Sequence, residues 1–428
     1  MAKALVYTQA EHGIDPALID PEALRILDRL RENGHESYLV GGAVRDLLIG
    51  RRPKDFDLVT DAQPARIKRI FRNSRVIGRR FRLVHVYAGT TIYEVSTFRS
   101  IANGTVGNEF GTIDEDALRR DFSMNALYYD PHDSTLVDYV GGFKDIAARK
   151  IVPVIPLDTI FKEDPVRMIR CVKYAAASGF RIPWSLRRAI RRDAVLLSQA
   201  SSSRMTEEFL KILASGRAAP IVEALADFDL LRHFAPQAAR LAREDRAYQT
   251  ALSAALAELD AEASAPDREK RLSLLLAHYL KPYLEAQPGR IADTPDAYRE
   301  AVHEARLFLS PLNPPRVELE AAVLVLFKKR GISPLQRPRR PGPERGPARA
   351  GQGPRRGAAR PAAEEGGRRA VPDAIPATAA PGDDVGQRED EPRPRPKRRR
   401  RRRKPPFSEG GGPAGGGGGG PGAPPAGE

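Results

Sequence analysis

Two aspartates separated by one residue are the strongest chemical feature of this sequence. Asp55 and Asp57 stand in the segment Lys54-Asp-Phe-Asp-Leu-Val. On a strand, side chains two residues apart project from the same face, so both carboxylates would lie side by side while Phe56 points to the other face. Each negative charge disfavours ionisation of the other, and a divalent cation reverses that cost. The spacing therefore indicates a site of oxygen ligands for Mg²⁺, with Mn²⁺ as the alternative ion.

The segment before the aspartates has the pattern of a phosphate-binding turn. An isolated Asp-x-Asp is also common at solvated strand ends, so this context matters. Tyr38-Leu-Val-Gly-Gly-Ala-Val-Arg-Asp-Leu-Leu predicts a strand, a glycine pair and a helix. Glycine lets a phosphate approach the backbone closely, and the free N–H groups of a helix N-terminus favour negative charge. Gly41 and Gly42 could form an ordinary tight turn, but with Asp55 and Asp57 they supply both halves of a nucleoside-triphosphate and metal site.

Glu94 is a candidate third acidic residue of the same site. It lies in Thr91-Ile-Tyr-Glu-Val-Ser-Thr-Phe-Arg, where strand alternation places Ile92, Glu94 and Ser96 on one face. A glutamate in such a run is disfavoured unless something pairs with it. The partner is either a metal or active-site group, or a nearby arginine.

These residues need a framework, and the chain predicts an α+β domain followed by helices. Residues 20–155 alternate short β-branched runs with helical stretches, and from about Asp164 helical periodicity takes over. The predicted strands include Tyr38-Leu-Val, Phe56-Asp-Leu-Val, Arg75-Val-Ile, Leu83-Val-His-Val-Tyr and Thr91-Ile-Tyr-Glu-Val. We expect the helical part to continue to about residue 330.

Composition limits the class of protein. Cys171 is the only cysteine, which excludes an intramolecular disulfide and a cysteine-based zinc site and fits a reducing cytoplasm. The sequence has no apolar run long enough to span a membrane, and residues 1–20 lack the apolar core of a secretory signal. A net charge of +15 favours a polyanionic partner.

Five ordered motifs resemble those of the class II nucleotidyltransferases, the group that joins bacterial poly(A) polymerases and CCA-adding enzymes. The resemblance spans roughly residues 12–215. Its motifs are Gly41-Gly-Ala-Val-Arg-Asp with Asp55-Phe-Asp, Arg119-Arg-Asp-Phe-Ser-Met-Asn125, Asp138-Tyr-Val-Gly-Gly-Phe-Lys-Asp145, Glu163-Asp-Pro-Val-Arg167 and Arg204-Met-Thr-Glu-Glu208. The third looks like the flexible-loop motif of the family, and the last is the least close match.

The resemblance implies a fold and a division into domains. It implies a polymerase β-like, mixed-sheet nucleotidyltransferase head over residues 12–155. A helical neck with base- and RNA-binding elements would cover 156–215, and a helical body 216–330. Residues 331–428 would form a disordered tail rich in arginine, proline and glycine.

The resemblance also implies roles for individual residues. Asp55, Asp57 and Glu94 would be catalytic, and the two aspartates would hold the metal. The nucleotide-binding residues would be Gly41, Gly42, Arg45, Arg119, Arg120, Asp121, Asn125, Asp164 and Arg167.

Some of these roles can also be read from the residues themselves. Arg119 and Arg120 form a predicted helical pair whose guanidinium forks suit triphosphate oxygens, while Asp121 or Asn125 could hydrogen-bond a ribose hydroxyl. A surface ion-pair array is the alternative. Asp164 with Pro165 predicts a helix N-cap, with an i, i+3 salt bridge to Arg167. The resemblance adds recognition of the incoming base, and both roles stay open.

One segment favours polyadenylation over CCA addition. Val76-Ile-Gly-Arg-Arg-Phe-Arg-Leu-Val-His-Val86, which contains Arg79 and Arg80, resembles the stretch that marks bacterial poly(A) polymerases, as do His12-Gly-Ile-Asp and Phe71-Arg-Asn-Ser-Arg. The expected function is template-independent transfer of AMP from ATP to RNA 3′ ends by two-metal phosphoryl transfer, with release of pyrophosphate. CCA addition to tRNA is the close alternative, and a non-catalytic RNA-binding protein is the alternative of another class. RNA-decay factors are candidate protein partners.

The tail predicts a separate contact with RNA. Residues 331–428 carry 21 Lys/Arg against 11 Asp/Glu and a single aromatic residue. Eight consecutive cationic residues, 397–404, include Arg398, Arg399 and Arg400. Without interleaved aromatic residues this run cannot stack bases, so we expect it to bind phosphates without sequence preference.

Overall fold

The computed structural model describes residues 3–78, 83–101, 109–263, 271–286, 291 and 294–332. These residues all fall within one unit of the chain, residues 1–343. The predictions made for Arg79 and Arg80 lie outside the described residues. The same is true of the tail from residue 333 onward, with Arg398, Arg399 and Arg400.

An eight-stranded mixed sheet forms the N-terminal part of the described chain. Its strands are β1 Leu5–Tyr7, β2 Ser37–Val40, β3 Asp57–Thr60, β4 Ser74–Ile77, β5 Leu83–Ala88, β6 Thr91–Thr97, β7 Leu127–Asp130 and β8 Thr135–Asp138. The strand order is β1-β8-β7-β2-β3-β6-β5-β4. Strands β3 and β6 pair in parallel, and the other neighbours pair antiparallel. The predicted α+β class is confirmed.

Strand β6 shows how the sheet separates a core face from an open face. Tyr93 and Val95 are buried, whereas Ile92 and Glu94 are exposed. This is the alternation that the sequence predicts, because successive side chains of a strand point to opposite faces. The open face of β6 therefore carries Glu94.

Six helices accompany the sheet in the described part of the head. They are α1 Gln9–His12, α2 Pro21–Glu32, α3 Gly42–Leu48, α4 Pro64–Ile70, α5 Ile113–Leu118 and α6 Gly142–Ala147. Helix α2 shows how the local sequence starts such a helix and turns its apolar side to the core. The Asp20 carboxylate accepts from the Glu22 amide at 2.8 Å, Pro21 occupies the first turn, and Ile26 and Leu30 face the core.

After β8 the described chain contains helices and no further strand, as the sequence predicts. These helices are α7 Ile160–Glu163, α8 Val166–Ser178, α9 Trp184–Asp193, α10 Ser202–Leu213, α11 Ala218–Asp227, α12 Leu231–Phe234, α13 Pro236–Glu244, α14 Arg246–Ala263, α15 Leu272–Glu285, α16 Pro295–Leu309 and α17 Arg316–Lys329. Ile332 still packs against the hydrophobic core. Of the helices formed by the described residues, none has both the length and the apolar character needed to cross a membrane.

Candidate active site

A polar cleft of about 500 Å³ opens between the sheet and helices α8 and α10. Nine of the residues predicted to form the site line it. They are Gly41, Gly42, Asp57, Arg119, Arg120, Asp121, Asn125, Asp164 and Arg167. Seven further residues complete the lining, namely Ser96, Arg99, Asp116, Arg170, Tyr174, Arg204 and Glu207. Asp55, Glu94 and Arg45 are not among the lining residues.

The glycine pair forms the turn that the sequence predicts. Strand β2 ends at Val40, Gly41 is the N-cap, and α3 begins at Gly42. Gly41 has φ 73° and ψ −132°, a combination that residues with a Cβ rarely adopt. A Cβ at this position would lie 3.5 Å from Oδ2 of Asp57, so the turn and the acidic residue are neighbours.

The two aspartates do not both lie on a strand, so that part of the sequence interpretation is wrong. Pairing in β3 begins at Asp57, opposite Val40 of β2 and Glu94 of β6. Asp55 precedes the strand, although Phe56 is buried as expected. The neighbouring Lys54 is engaged elsewhere in the chain, because it donates to the Ser215 carbonyl, just after α10, at 2.5 Å.

Asp57 is held beside a second acidic side chain. The parallel register places Glu94 directly opposite Asp57, on the open face of the sheet. Burial, followed by the charges of Glu94 and Asp55, raises the pKa of Asp57, and Arg120 opposes this only in part. Asp57 lines the cleft but is exposed to solvent there, so water offsets part of this shift.

Glu94 has a protein partner other than the arginine considered above. His85 of β5 lies opposite it in the antiparallel register, with Nε2 3.5 Å from Oε1 of Glu94. The His85 side chain is partly exposed, on the open face of the sheet with Glu94.

The acidic residues fit a hard divalent cation. They offer oxygen ligands only, and their uncompensated negative charge raises the pKa of Asp57. Within the described ranges, no group of three or more acidic, histidine or cysteine side chains has the spacing to hold a metal. A cation at Asp57 would therefore need water and phosphate oxygens as further ligands, which Mg²⁺ commonly uses.

Arg119 and Arg120 follow helix α5 instead of lying in it, so the predicted helical pair is corrected. Helix α5 ends at Leu118, and Arg119 is its C-cap. Arg120 turns back to Asp116, with 2.8 Å between Nη2 and Oδ2, and also donates to the Tyr128 hydroxyl and the Asn125 carbonyl. Burial works against the charge of Arg120, but Tyr128 and Asp116 raise its pKa. Arg120 thus fixes the wall of the cleft.

Two donors in the cleft have no hydrogen-bond partner in the described structure. They are Nη1 of Arg119 and Nδ2 of Asn125, and both atoms are buried. Burial, with the neighbouring charges of Arg99 and Arg120, lowers the pKa of Arg119 to about 10, while Asp116 opposes the shift. An unmet buried donor costs about 1–3 kcal/mol, so these groups favour a ligand that brings negative charge and acceptors.

Asp121 is already engaged by the protein. Its Oδ1 accepts from the Phe122 amide at 2.9 Å, and its Oδ2 accepts from Nε of Arg170 at 2.7 Å. Burial opposes ionisation, but Arg170 lowers the pKa of this carboxyl. Arg170 also reaches Glu208 of α10 at 3.3 Å. The sequence interpretation missed Arg170, although it stands one helical turn after Arg167.

Asp164 and Arg167 are both buried in the cleft wall, and the predicted salt bridge between them is present, at the long distance of 3.9 Å. The N-cap of α8 is Pro165 and not Asp164 as predicted, although Oδ1 of Asp164 accepts from the Val166 amide at 3.3 Å. Arg167 lies 3.9 Å from Asp164 but 3.0 Å from Glu163, so Glu163 is its nearer ionic partner. The nearer cation to Asp164 is Arg204 of α10, at 2.5 Å. Arg204 was visible in the sequence as the first residue of the last motif.

Arg45 supports the cleft from behind. Its Nη1 donates to Oδ1 of Asn125 at 3.0 Å, and its guanidinium also pairs with Asp46. It lies 5.5 Å from the centre of the Tyr174 ring. Arg45 therefore orients Asn125 so that the amide nitrogen remains available.

The motif from Asp138 to Asp145 forms an ordered strand-to-helix junction. Asp138 accepts hydrogen bonds from the four backbone amides of residues 140–143. Asp145 accepts from the Ser123 hydroxyl at 2.6 Å. A Cβ on Gly142 would lie 2.2 Å from the Ser123 carbonyl, so only glycine fits. These contacts hold the turn that carries Asn125.

Two family models match parts of the chain. A family model described as "Poly A polymerase head domain" matches residues 37–152. A second, described as "Probable RNA and SrmB- binding site of polymerase A", matches residues 179–241.

Individual relatives point to the same family. The chain is 41% identical to poly(A) polymerase I of Escherichia coli O6:H1 over 256 residues, which cover 56% of this chain and 55% of that protein. It is 37% identical to poly(A) polymerase I of Salmonella typhi over 314 residues, covering 69% of this chain and 68% of the relative. It is also 37% identical to the CCA-adding enzyme of Geobacillus kaustophilus, over 51% of this chain and 56% of the relative.

A solved structure is also similar. The crystal structure of the Bacillus stearothermophilus CCA-adding enzyme in complex with CTP matches with a TM-score of 0.49 and 28% identity, over 73% of this chain and 83% of that chain. The match to the E. coli protein spans only about half of that relative's length, and the match to the Salmonella protein spans just over two thirds. On these sequence matches, the chain belongs to the poly(A) polymerase family.

Proposed function

We propose that this protein is a template-independent polynucleotide adenylyltransferase that adds AMP from ATP to RNA 3′ ends and releases pyrophosphate. The observation that carries the proposal is the cleft itself. Its lining includes Asp57, the glycine turn beside it, and Arg119 and Asn125, each of which carries a buried donor without a partner in the described structure. Residues 12–155 would be the catalytic head, 156–215 the neck and 216–330 the body, and the single cysteine favours a cytoplasmic location.

Asp55 and Asp57 would hold Mg²⁺, and Mn²⁺ could replace it. A bound ion would neutralise phosphate charge and lower the pKa of a hydroxyl group that it contacts. Glu94 adds negative charge next to Asp57 and so favours cation binding at this edge of the sheet.

The arginines at the end of α5 would bind the triphosphate. Arg119 contributes a buried donor with no protein partner, and Arg99 adds positive charge beside it. Guanidinium groups match phosphate oxygens in geometry and charge. As the RNA 3′-oxygen bonds to the α-phosphorus, the bond to the pyrophosphate oxygen breaks and the hydroxyl proton is released to solvent. The chain needs no protein nucleophile for this step.

Asn125 is the better candidate for contact with the ribose. Both carboxylate oxygens of Asp121 already accept hydrogen bonds, whereas Nδ2 of Asn125 is unpartnered. Arg45 holds the Asn125 side chain in this orientation. Asp121 would then act indirectly, by holding Arg170 in the wall.

Asp164, Arg167 and Arg204 would contact the incoming base. They place a carboxylate and guanidinium donors in the cleft wall, and such groups can read the donor and acceptor pattern of a base edge. A CCA-adding enzyme is the second candidate, because the Geobacillus relative is 37% identical to this chain.

Extension of a single-stranded RNA with each nucleoside triphosphate separately tests the proposal. We expect Mg²⁺-dependent growth of long A tracts from ATP. Asp57→Asn should lower the rate about a thousandfold or more, because a metal ligand and its charge are lost. Asp28→Asn, an exposed aspartate on α2, is the matched control and should extend normally. Termination after C-C-A on a tRNA would establish the second candidate, and near-normal extension by Asp57→Asn would refute the site.

A further inference from the structure

A groove of about 680 Å³ lies between helices α14 and α15, outside both regions that match family models. Its floor is largely apolar and is formed by Tyr248, Ala251, Ala254, Ala255 and Pro282. None of the described residues that line this groove also lines the cleft. The groove is therefore a separate surface from the candidate active site.

The rim of the groove is acidic. Asp245, Glu258 and Glu285 line it, and Lys281 is the one cation among the described lining residues. Lys281 donates to Glu258 at 3.3 Å, so one acid of the rim is already matched. An apolar floor below a rim of net negative charge favours an occupant that carries both apolar and cationic side chains.

The chain leaves the described fold beside this rim. Nε of Arg330 lies 3.6 Å from Oε1 of Glu285. Gly331, with φ 74°, turns the chain after the end of α17, and Ile332 packs against the hydrophobic core. The residues that follow Ile332 therefore start close to the groove.

The segment that follows has the composition that the groove requires. Residues 334–341 read Pro-Leu-Gln-Arg-Pro-Arg-Arg-Pro, with one large apolar residue, Leu335, and three arginines, Arg337, Arg339 and Arg340. They lie outside the described residues but belong to the same unit of the chain, residues 1–343.

The lengths of the segment and the groove also agree. Prolines favour an extended backbone, in which eight residues cover about 25 Å. Asp245 and Glu258 of the rim stand at the two ends of a stretch of α14 that is about 20 Å long. The segment is therefore long enough to follow the groove from end to end.

We propose that residues 334–341 dock in this groove of the same chain, with Leu335 against the apolar floor and the three arginines of the segment facing the acidic rim. Leu335 lies three residues after Ile332, within about 10 Å of it. Such a short connection gives the segment a high effective concentration at the groove. A basic segment of another protein would have to displace it before it could use this surface.

Alkylation of single introduced cysteines in the full-length protein tests whether the groove is occupied. Ala251→Cys places a thiol on the groove floor, and Ser253→Cys places one elsewhere on α14; both positions are exposed in the described fold. The native Cys171 is buried and should react slowly. With the uncharged reagent N-ethylmaleimide, we expect the thiol at position 251 to react about tenfold more slowly than that at 253, as for a segment that is docked about nine-tenths of the time.

A release variant removes the proposed contacts without changing any described residue. It replaces the leucine and the three arginines of the segment, by Leu335→Ser, Arg337→Gln, Arg339→Gln and Arg340→Gln. The reaction at position 251 should then become as fast as that at 253. The matched control replaces one apolar residue and three arginines farther along the chain, by Val371→Ser, Arg355→Gln, Arg356→Gln and Arg360→Gln. It should leave the slow reaction at position 251 unchanged.

A second variant removes charge from the rim instead of the segment. Glu258→Gln with Glu285→Gln should accelerate the reaction at position 251 about threefold or more, because two attractions to the arginines are lost. Glu223→Gln with Glu300→Gln, at exposed positions of α11 and α16, is the matched control and should have no effect.

Three results would overturn the inference. Equal rates at positions 251 and 253 in the chain with its natural segment would show that the groove is open. Slow alkylation that persists in the release variant would mean that another group covers the floor. Protection that increases with protein concentration would assign the groove to a second copy of the chain. All these rates are measured without RNA or nucleotide, so failure of the proposed activity would not affect them.

Discussion

Asp57 and Glu94 face each other across two parallel strands, so the backbone pairing of the sheet holds two carboxylates together. The pairing fixes the two backbone positions, so both side chains start from neighbouring points on the same face of the sheet. Burial and the charge of Glu94 accordingly raise the pKa of Asp57. Such an arrangement is costly in the protein alone and becomes favourable when a cation is bound. This relationship is the basis of the first prediction.

Asp57→Asn should stabilise the metal-free protein while it abolishes activity. Because the folded pKa of Asp57 lies above its unfolded value, its ionisation costs stability as pH rises through that interval. Because Asp57 is exposed in the cleft and water screens its charge, we expect the variant to gain only about 0.5 kcal/mol in free energy of unfolding at pH 7, and little or nothing at pH 3. Urea denaturation with a chelator at both pH values measures this, with Asp28→Asn as control. If the variant were less stable than the unaltered protein at pH 7, groups of the protein itself would already stabilise the ionised Asp57 carboxylate.

Arg170→Met should strongly destabilise the protein, by about 3–5 kcal/mol. Arg170 is paired with Asp121 and Glu208, and its loss leaves both buried carboxylates without this partner. Urea denaturation of Arg170→Met, Asp121→Asn and the double variant provides a double-mutant cycle. The free energy of unfolding of the double variant should fall by less than the sum of the two single decreases. Simple additivity would contradict an interaction between the two residues.

The same ion pairs predict a loss of stability in acid. Burial works against the charges of Asp121 and Glu208, but Arg170 and Lys173 lower their pKa values below those of the unfolded chain. Their stabilisation is present above the unfolded pKa, near 4, and is lost as pH falls through the folded values. Unfolding free energies of the unaltered protein and Arg170→Met should therefore converge below pH 4. If the difference in unfolding free energy between the two proteins stayed constant down to pH 2, ionisation of these two carboxylates would not be its cause.

Gly41→Ala should cost about 1–3 kcal/mol, because the φ and ψ of Gly41 lie in a region that is unfavourable for residues with a Cβ. Gly13→Ala is the matched control. Gly13 also has positive φ, but in the left-handed helical region with ψ 21°, and no atom lies within 4 Å of its added Cβ. Thermal unfolding should show the larger loss at Gly41. Equal losses would mean that positive φ alone, and not the turn beside Asp57, sets the cost.

Deletion of residues 333–428 should weaken RNA binding and flatten its salt dependence. The cut falls after Ile332, which packs against the core, so the described fold is kept intact. If the run at 397–404 contacts about eight phosphates, the slope of log K against log salt should change by roughly 5 to 6. Extension of a short oligonucleotide should continue. An unchanged slope would show that the tail does not contribute phosphate contacts to RNA binding.

The strands that the sequence predicts are those with clear local signals. The β-branched runs at Tyr38, Arg75, Leu83 and Thr91 all lie in strands, as does the end of the run that begins at Phe56. Strands β1, β7 and β8 were not predicted. Strand β7 is buried on both faces and has no alternation, and β1 has only three residues.

The sequence by itself determined the succession of a sheet and a helical part, the glycine turn and the identity of the chemical groups, because these depend on residue type and short-range spacing. Tertiary structure decided which groups remain available. Asp121 and Arg120 could bind a ligand as readily as Asn125 and Arg119 when only residue type is considered. In the folded chain Asp121 accepts a hydrogen bond from Arg170, and Arg120 donates to Asp116. Asn125 and Arg119 each keep a donor without a partner in the described structure. Hydrogen-bond satisfaction in a buried wall depends on all its neighbours at once, and no local pattern specifies those neighbours.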